Sequence, residues 1–204
     1  MKRYKLCALF AVALLCCTAL AQTKTRKGLP AAKERLLEVY NVRGSEATAR
    51  LVVDGKVVFT TRAYIGKNGI GKTREGDLKT PLGTFHILGA FGVKPNPGTT
   101  LRYRRVTSTT FACDEKGPYY NKIIDTAVKN HRCKGEDMYH LVPQYNYGLI
   151  TDYNKACVYP KGSHIFIHVK GPRPYTGGCI ALDEARMVQL LRLADTTLTV
   201  VIRK

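Results

Sequence analysis

From residue 36 onward only one stretch of the sequence carries a helical period, and this constrains the fold more than any other feature. Residues 183–194 set Met187, Val188, Leu190, Leu191 and Ala194 on one apolar stripe, behind an Asp183 able to cap the helix. Elsewhere the apolar residues fall in short alternating or β-branched runs cut by glycine and proline. Leu51-Val52-Val53 and Val57-Val58-Phe59 flank Asp54-Gly55, the signal of a two-residue type I′ hairpin. Further strands are predicted at residues 84–88, 147–153, 164–169 and 197–202, with a short helical stretch near 136–141. Residues 66–83 and 89–100 read as long loops. Eighteen glycines, nine prolines and twelve tyrosines with no tryptophan fit the same picture. The expected fold is mostly β with few helices, in a single domain.

The N-terminus has a different character. Lys2, Arg3 and Lys5 precede an almost wholly apolar run over residues 6–20, and Ala19-Leu20-Ala21 forms a small-x-small cleavage site. The run is short for a spanning helix, which needs roughly 20 residues. Residues 1–21 are therefore expected to be a signal peptide, 22–35 a basic linker and 36–204 the folded domain. The expected location is secreted or periplasmic, without a stable membrane anchor. Thirty-three basic against fifteen acidic residues give a net charge of +18, of which three charges lie in the leader. Such a charge calls for an anionic partner. For an exported chain, that partner is an envelope polymer rather than nucleic acid. Cys7, Cys16 and Cys17 leave with the leader, and Cys113, Cys133, Cys157 and Cys179 remain. Four cysteines allow two disulfides in three connectivities, or one disulfide and a reactive thiol.

Three motifs suggest chemistry. Residues 66–73, Gly-Lys-Asn-Gly-Ile-Gly-Lys-Thr, match the phosphate-binding pattern G-x-x-x-x-G-K-T. That pattern needs a following helix whose amides hold phosphate, and the breaker-rich segment after Thr73 offers none. A surface loop without nucleotide is expected. His164 and His168 are four apart, but Ile165-Phe166-Ile167 between them reads as strand. There the two would be roughly 13 Å apart, too far to share an ion. Thr176-Gly177-Gly178-Cys179 is different: a cysteine behind two glycines has close backbone approach on one side and room for a substrate on the other. The turn can also aim N–H groups at a developing oxyanion, and an imidazole near a thiol activates it. A hairpin-like return through the proline-containing loop 170–178 would bring Cys179 beside His168, although a buried or disulfide-linked Cys179 is the commoner outcome on spacing alone.

Taken in order, these residues resemble the L,D-transpeptidases with a YkuD-type catalytic domain. Gly71-Lys72-Thr73-Arg74-Glu75-Gly76-Asp77 followed by Thr80-Pro81-Leu82-Gly83-Thr84-Phe85 resembles the family's G-K-x-R-E-G-D … T-P-x-G-x-F segment. Cys113-Asp114-Glu115 with Tyr120-Asn121-Lys122 is similar to a C-D-D … Y-N segment of one branch. Residues 147–154 look like the family's central strand ending in Tyr-Asn. Gly162-Ser163-His164-Ile165-Phe166-Ile167-His168 resembles G-S-x-I-F-x-H, and residues 176–182 resemble T-A-G-C-x-A-L. In the commonest signature, S-H-G-C, a His stands where Gly177 is and an Arg where Ala181 is; the T-x-G-C branch shares these departures.

The resemblance implies an L,D-transpeptidase fold acting on peptidoglycan stem peptides without metal or cofactor. Cys179 would be the nucleophile and His168 the base, with Thr176, Gly177 and Gly178 forming the oxyanion and substrate turn. D-Alanine would be released and a 3–3 cross-link formed. The alternatives are hydrolysis by the same fold, as a carboxypeptidase or endopeptidase, or a non-catalytic basic wall-binding protein. A monomer is expected. If Cys179 is the nucleophile, at most one disulfide is expected, drawn from Cys113, Cys133 and Cys157, with Cys113–Cys133 the preferred pair. The thiol pKa of Cys179 would then lie below its free value.

Overall fold

The computed structural model describes residues 34–204 except Arg132. The leader assigned to residues 1–21 and nearly all of the linker lie outside the described residues. The chain opens with three antiparallel strands, β1 (Arg35–Arg43), β2 (Glu46–Val53) and β3 (Lys56–Tyr64). Asp54 and Gly55 join β2 to β3 with φ of 51° and 73°, both positive as a type I′ turn requires.

A loop then leads to β4 (Gly83–Gly92), followed by β5 (Tyr103–Arg105). The strand predicted at 84–88 thus extends through Gly92 into a segment expected to be loop. Glycine permits this: a Cβ on Gly92 would lie 2.1 Å from the Tyr103 hydroxyl, so only a bare backbone can pass beneath that ring. Next come β6 (Thr110–Cys113), β7 (Lys122–Asp125), the single turn α1 (Thr126–Lys129) and β8 (Gly135–Asp137). These strands form a separate three-stranded sheet in the order β7-β6-β8. The helix expected near 136–141 is instead this short strand and a turn. Gly135 sits opposite Cys113, and a Cβ there would lie 2.1 Å from the Ala112 carbonyl oxygen, so pairing with β6 overrides local helix preference. Cys113 and Cys133 are joined by a disulfide, while Cys157 and Cys179 are free, as the cysteine arithmetic anticipated.

The last third contains a 3₁₀ turn (Gln144–Asn146), β9 (Gly148–Thr151), β10 (Phe166–Val169), β11 (Ile180–Leu182), α2 (Glu184–Leu193) and β12 (Leu198–Ile202). The large sheet runs β12-β1-β2-β3-β11-β10-β9-β4-β5, and the first half of β4 pairs back to β12. Eight strands therefore close into a ring, with β5 appended to the far half of β4. Closure removes most of the exposed edges a large sheet would otherwise carry.

The interior follows strand parity. Leu37 and Val39 of β1, Ala49 and Leu51 of β2, and Leu198, Val200 and Ile202 of β12 point inward at every second position. The helix α2 adds Met187, Leu190 and Leu191 to the same core. Asp183 stands at its N-cap without a capping hydrogen bond, because its carboxylate pairs with Lys170 at 3.1 Å instead. Among the described residues no helix is long and apolar enough to cross a membrane.

Candidate active site

Parity also builds the site. In β10, Ile167 and Val169 enter the main core, while Phe166 joins a second apolar cluster with Cys179, Tyr145 and Phe91. In β11, Ile180 and Leu182 are likewise core residues, so Cys179 and Ala181 face the other way. The two strands pair in parallel, with Ile167 opposite Ile180 and His168 opposite Ala181. The expected hairpin-like return is thus a parallel crossover through loop 170–179. On the shared face Phe166 comes level with Cys179, and its N–H donates to Sγ at 3.3 Å. His168 is the diagonal neighbour of Cys179. Both line a cleft of about 570 Å³, within the usual size of small-molecule sites.

The glycines divide the work anticipated for them. Gly178 has φ of +148°, and a Cβ there would come within 2.8 Å of the Lys79 carbonyl oxygen. Gly177 has no atom near its missing Cβ, which leaves the open side to the cleft. Thr176 locks the turn: its hydroxyl accepts from Gly178 N–H at 3.0 Å and donates to the Cys179 carbonyl at 2.7 Å.

His168 Nδ1 lies 2.7 Å from the Val169 carbonyl, which can only accept. The proton therefore sits on Nδ1, leaving the Nε2 lone pair available. Burial lowers the His168 pKa to about 4, opposed by that hydrogen bond. The Cys179 thiol is pushed the other way, to about 12, chiefly by burial and further by the nearby Glu136 carboxylate, with Phe166 N–H and Lys72 opposing. The lowered thiol pKa expected from sequence is not found, because Cys179 is only 8% exposed and desolvation outweighs every favourable contact. At neutral pH the pair is a neutral thiol beside a neutral imidazole, and proton transfer between them would accompany attack on an electrophile.

His164 lies outside the strand expected at 164–169. It occupies a left-handed turn before β10, with φ of 49°, and its Nε2 is 2.8 Å from the Cys113 carbonyl. The two histidines thus have separate carbonyl partners. Among the described residues no group of three or more His, Cys, Asp or Glu side chains is arranged to hold a metal.

The segment with the phosphate-binding letters exposes Lys67, Asn68 and Thr73, as a surface loop would, while its Lys72 lines the cleft. Lys72 and Asp77 form an ion pair at 2.9 Å with side chains 2% and 9% exposed. No helix follows Thr73. Instead Asp77 accepts the N–H groups of Thr73, Arg74 and Lys79. Burial raises the Asp77 pKa, but these three N–H groups and the Lys72 ammonium together outweigh it and hold the carboxyl well below the usual range. Asp77→Asn is expected to cost about 3–5 kcal/mol, the usual penalty for leaving a buried charge without its partner. Chemical unfolding at pH 7 measures it. Since the folded-state pKa is depressed, this stabilisation is present above the unfolded carboxylate pKa of about 3.9 and is lost as pH falls below it.

Other residues of the site escaped the sequence reading. Glu75 accepts both the Tyr120 hydroxyl and the Ser163 hydroxyl at 2.7 Å, and Gly162 N–H donates to the Tyr120 oxygen at 2.9 Å. Three motif segments far apart in sequence therefore interlock at the cleft wall, which Glu75 and Ser163 line. Their letters were available, although nothing local gave them a role. Glu136 and Tyr145 left no signal at all. Tyr145 donates to the Glu136 carboxylate and stands edge-on to His168, with ring centroids 5.5 Å apart. Burial raises the Glu136 pKa, opposed by the Tyr145 bond and reinforced by Asp114 and Glu75.

Comparison with known proteins places this architecture. The family model of the L,D-transpeptidase catalytic domain, YkuD, matches residues 39–202. Similar solved structures include the K307A mutant of the helical cell shape determining protein Pgp2 from Campylobacter jejuni, 22% identical, with a TM-score of 0.44 and coverage of 85% of this chain and 48% of that one. An L,D-transpeptidase from Mycobacterium smegmatis is 14% identical, with a TM-score of 0.45 and coverage of 84% and 59%. One from Stackebrandtia nassauensis is 14% identical, with a TM-score of 0.43 and coverage of 90% and 62%. The chain thus spans about half to three-fifths of the lengths of these structures. No curated protein matches. The family model covers most of the described chain, including the crossover that carries His168 and Cys179, and on that match the chain belongs to the L,D-transpeptidase (YkuD) catalytic-domain family.

Proposed function

We propose that this protein is an exported cysteine acyltransferase that cross-links peptidoglycan stem peptides. The observation that carries this reading is the pairing on one face of the β10/β11 crossover: a thiol at Cys179 and, diagonal to it, an imidazole at His168 whose free nitrogen is Nε2. The thiol sulfur attacks the carbonyl carbon of the diaminopimelate–D-alanine bond in a tetrapeptide stem, and its proton passes to His168 Nε2. The resulting oxyanion is held by backbone N–H groups of the Gly177-Gly178-Cys179 turn, including that of Gly178 once it leaves Thr176. Collapse breaks the amide bond, and the imidazolium returns the proton to the departing D-alanine amine. An amine of a second stem then attacks the thioester, giving up its proton to Nε2. The thiolate leaves, recovers that proton, and a 3–3 cross-link remains.

Residues 1–21 serve as the leader and 22–35 as the linker in this reading, and the catalytic domain works in the cell envelope as a monomer. The excess of Lys and Arg provides a long-range attraction to an anionic wall.

Incubation with purified muropeptides, resolved by mass, tests the proposal. Cross-linked dimers with loss of D-alanine are expected. Trimmed tripeptide monomers alone would assign hydrolysis instead, and unchanged muropeptides would exclude both.

A further inference from the structure

Among the described residues the Cys179 thiol is hydrogen-bonded not to His168 but to the chain just before β10. Its S–H donates to the His164 carbonyl at 3.1 Å, while Phe166 N–H donates to the sulfur. The carbonyl that receives the thiol belongs to a residue held in an uncommon backbone conformation. His164 is 7% exposed and has φ of 49°, in the left-handed region that a residue with a Cβ rarely adopts. Such a conformation persists only where surrounding contacts impose it.

Those contacts come from the small sheet and its loop. The His164 ring donates through Nε2–H to the Cys113 carbonyl at 2.8 Å, and its backbone N–H donates to Asn121 Oδ1 at 2.8 Å. Cys113 is the last residue of β6 and is tied by the disulfide to Cys133. Asn121 is itself fixed, its amide donating to the carbonyls of Tyr153 and Asn154. Three links thus run in series: the disulfide-bonded end of β6 holds the His164 ring, the ring holds a left-handed turn, and the turn aims a carbonyl at the nucleophile.

We infer that His164 is a positioning residue for Cys179, anchored on the small sheet, whose carbonyl holds the thiol in its resting orientation level with Phe166. This rests on the proposed role of Cys179. During attack the S–H leaves the His164 oxygen and gives its proton to the diagonal His168, while the Phe166 N–H stays on the sulfur. Without the anchor, the thiol samples other rotamers and attack is mis-aimed. The hydrogen bond to the His164 carbonyl also favours the protonated thiol.

Two variants separate positioning from mere support. His164→Gly keeps the left-handed backbone and removes the ring that anchors it. His164→Gln keeps an N–H donor near the position of Nε2. Using the purified full chain, two quantities are measured: kcat and KM on a tetrapeptide stem, and the rate of Cys179 alkylation by iodoacetamide against pH, followed by mass. The folded fraction is checked by circular dichroism. His164→Gly is expected to lower kcat by about 10- to 100-fold, the usual penalty for a misplaced reacting group, with KM little changed. Its alkylation midpoint moves to lower pH, so the two readouts move in opposite directions. His164→Gln recovers most of both.

A His164→Gly protein that stays folded with wild-type kcat and an unmoved alkylation midpoint would overturn the inference. So would a loss of kcat matched entirely by loss of folded protein. A wild-type protein that turns over no stem would instead defeat the functional proposal. The alkylation midpoint, which needs no stem, would still decide the role of His164.

Discussion

Replacing Cys179 by alanine is expected to lower turnover of a tetrapeptide stem by about four to six orders of magnitude. His168→Ala should lose nearly as much, and the double variant should be little worse than the worse single. The reason is that in the proposed mechanism thiol and imidazole contribute to one step. Once the sulfur is gone the base has nothing to deprotonate, and without the base a thiol with a pKa near 12 is almost wholly protonated at neutral pH. Burial sharpens this expectation, because an exposed thiol would retain some activity through its spontaneous thiolate. Dimer and monomer products by mass are the measurement, at enzyme concentrations high enough to see the residual rate. A Cys179→Ala protein that still processes stems at the wild-type rate would remove the assignment.

The pH profile gives the second large effect. With the His168 pKa lowered to about 4 and that of Cys179 raised to about 12, kcat/KM should be nearly flat across the neutral range. Activity should fall on the acid side only as pH drops through about 4, where protonation of Nε2 removes the base. An unperturbed pair would instead give a bell with limbs near 6.5 and 8.5. The difference at pH 5 is more than tenfold in the fraction of active base. Stability must be followed separately in the same window. His164 and His168 both have folded-state pKa values lowered to about 4 by burial, so the unfolded chain takes up protons first as pH falls from 6.5. Their contribution is therefore whole above about 6.5 and is lost progressively toward 4. The buried Glu136 acts oppositely, since its raised pKa favours proton uptake by the folded state. Rates measured only where circular dichroism shows full folding isolate the base. An acid limb near 6.5 in folded protein would show that His168 is hydrated in solution.

Much of the fold was legible in the sequence. Short β-branched and aromatic runs marked β2, β3, β4, β9, β10 and β12, but not β1 or the strands of the small sheet. Asp54-Gly55 fixed the β2/β3 hairpin because few other pairs tolerate two positive φ angles. The apolar stripe of α2 and the glycines before Cys179 were equally local. Where local preference failed, a distant partner had overruled it: β6 drew residues 135–137 into a strand, and pairing with β5 and β9 carried β4 beyond its predicted end.

The sequence by itself determined the class of the fold and the residue types that can carry the chemistry. These depend on properties one residue or one short window possesses. Only the tertiary structure decided that β10 and β11 run parallel with Ala181 opposite His168, which sets imidazole and thiol on one face. It alone brought Glu75 to Tyr120 and Ser163, 45 and 88 positions away, and set the His164 carbonyl against the Cys179 thiol. It also reversed the expected direction of the thiol pKa. Ionisation depends on the water and charge surrounding a group, and those surroundings are assembled from segments that no local pattern connects.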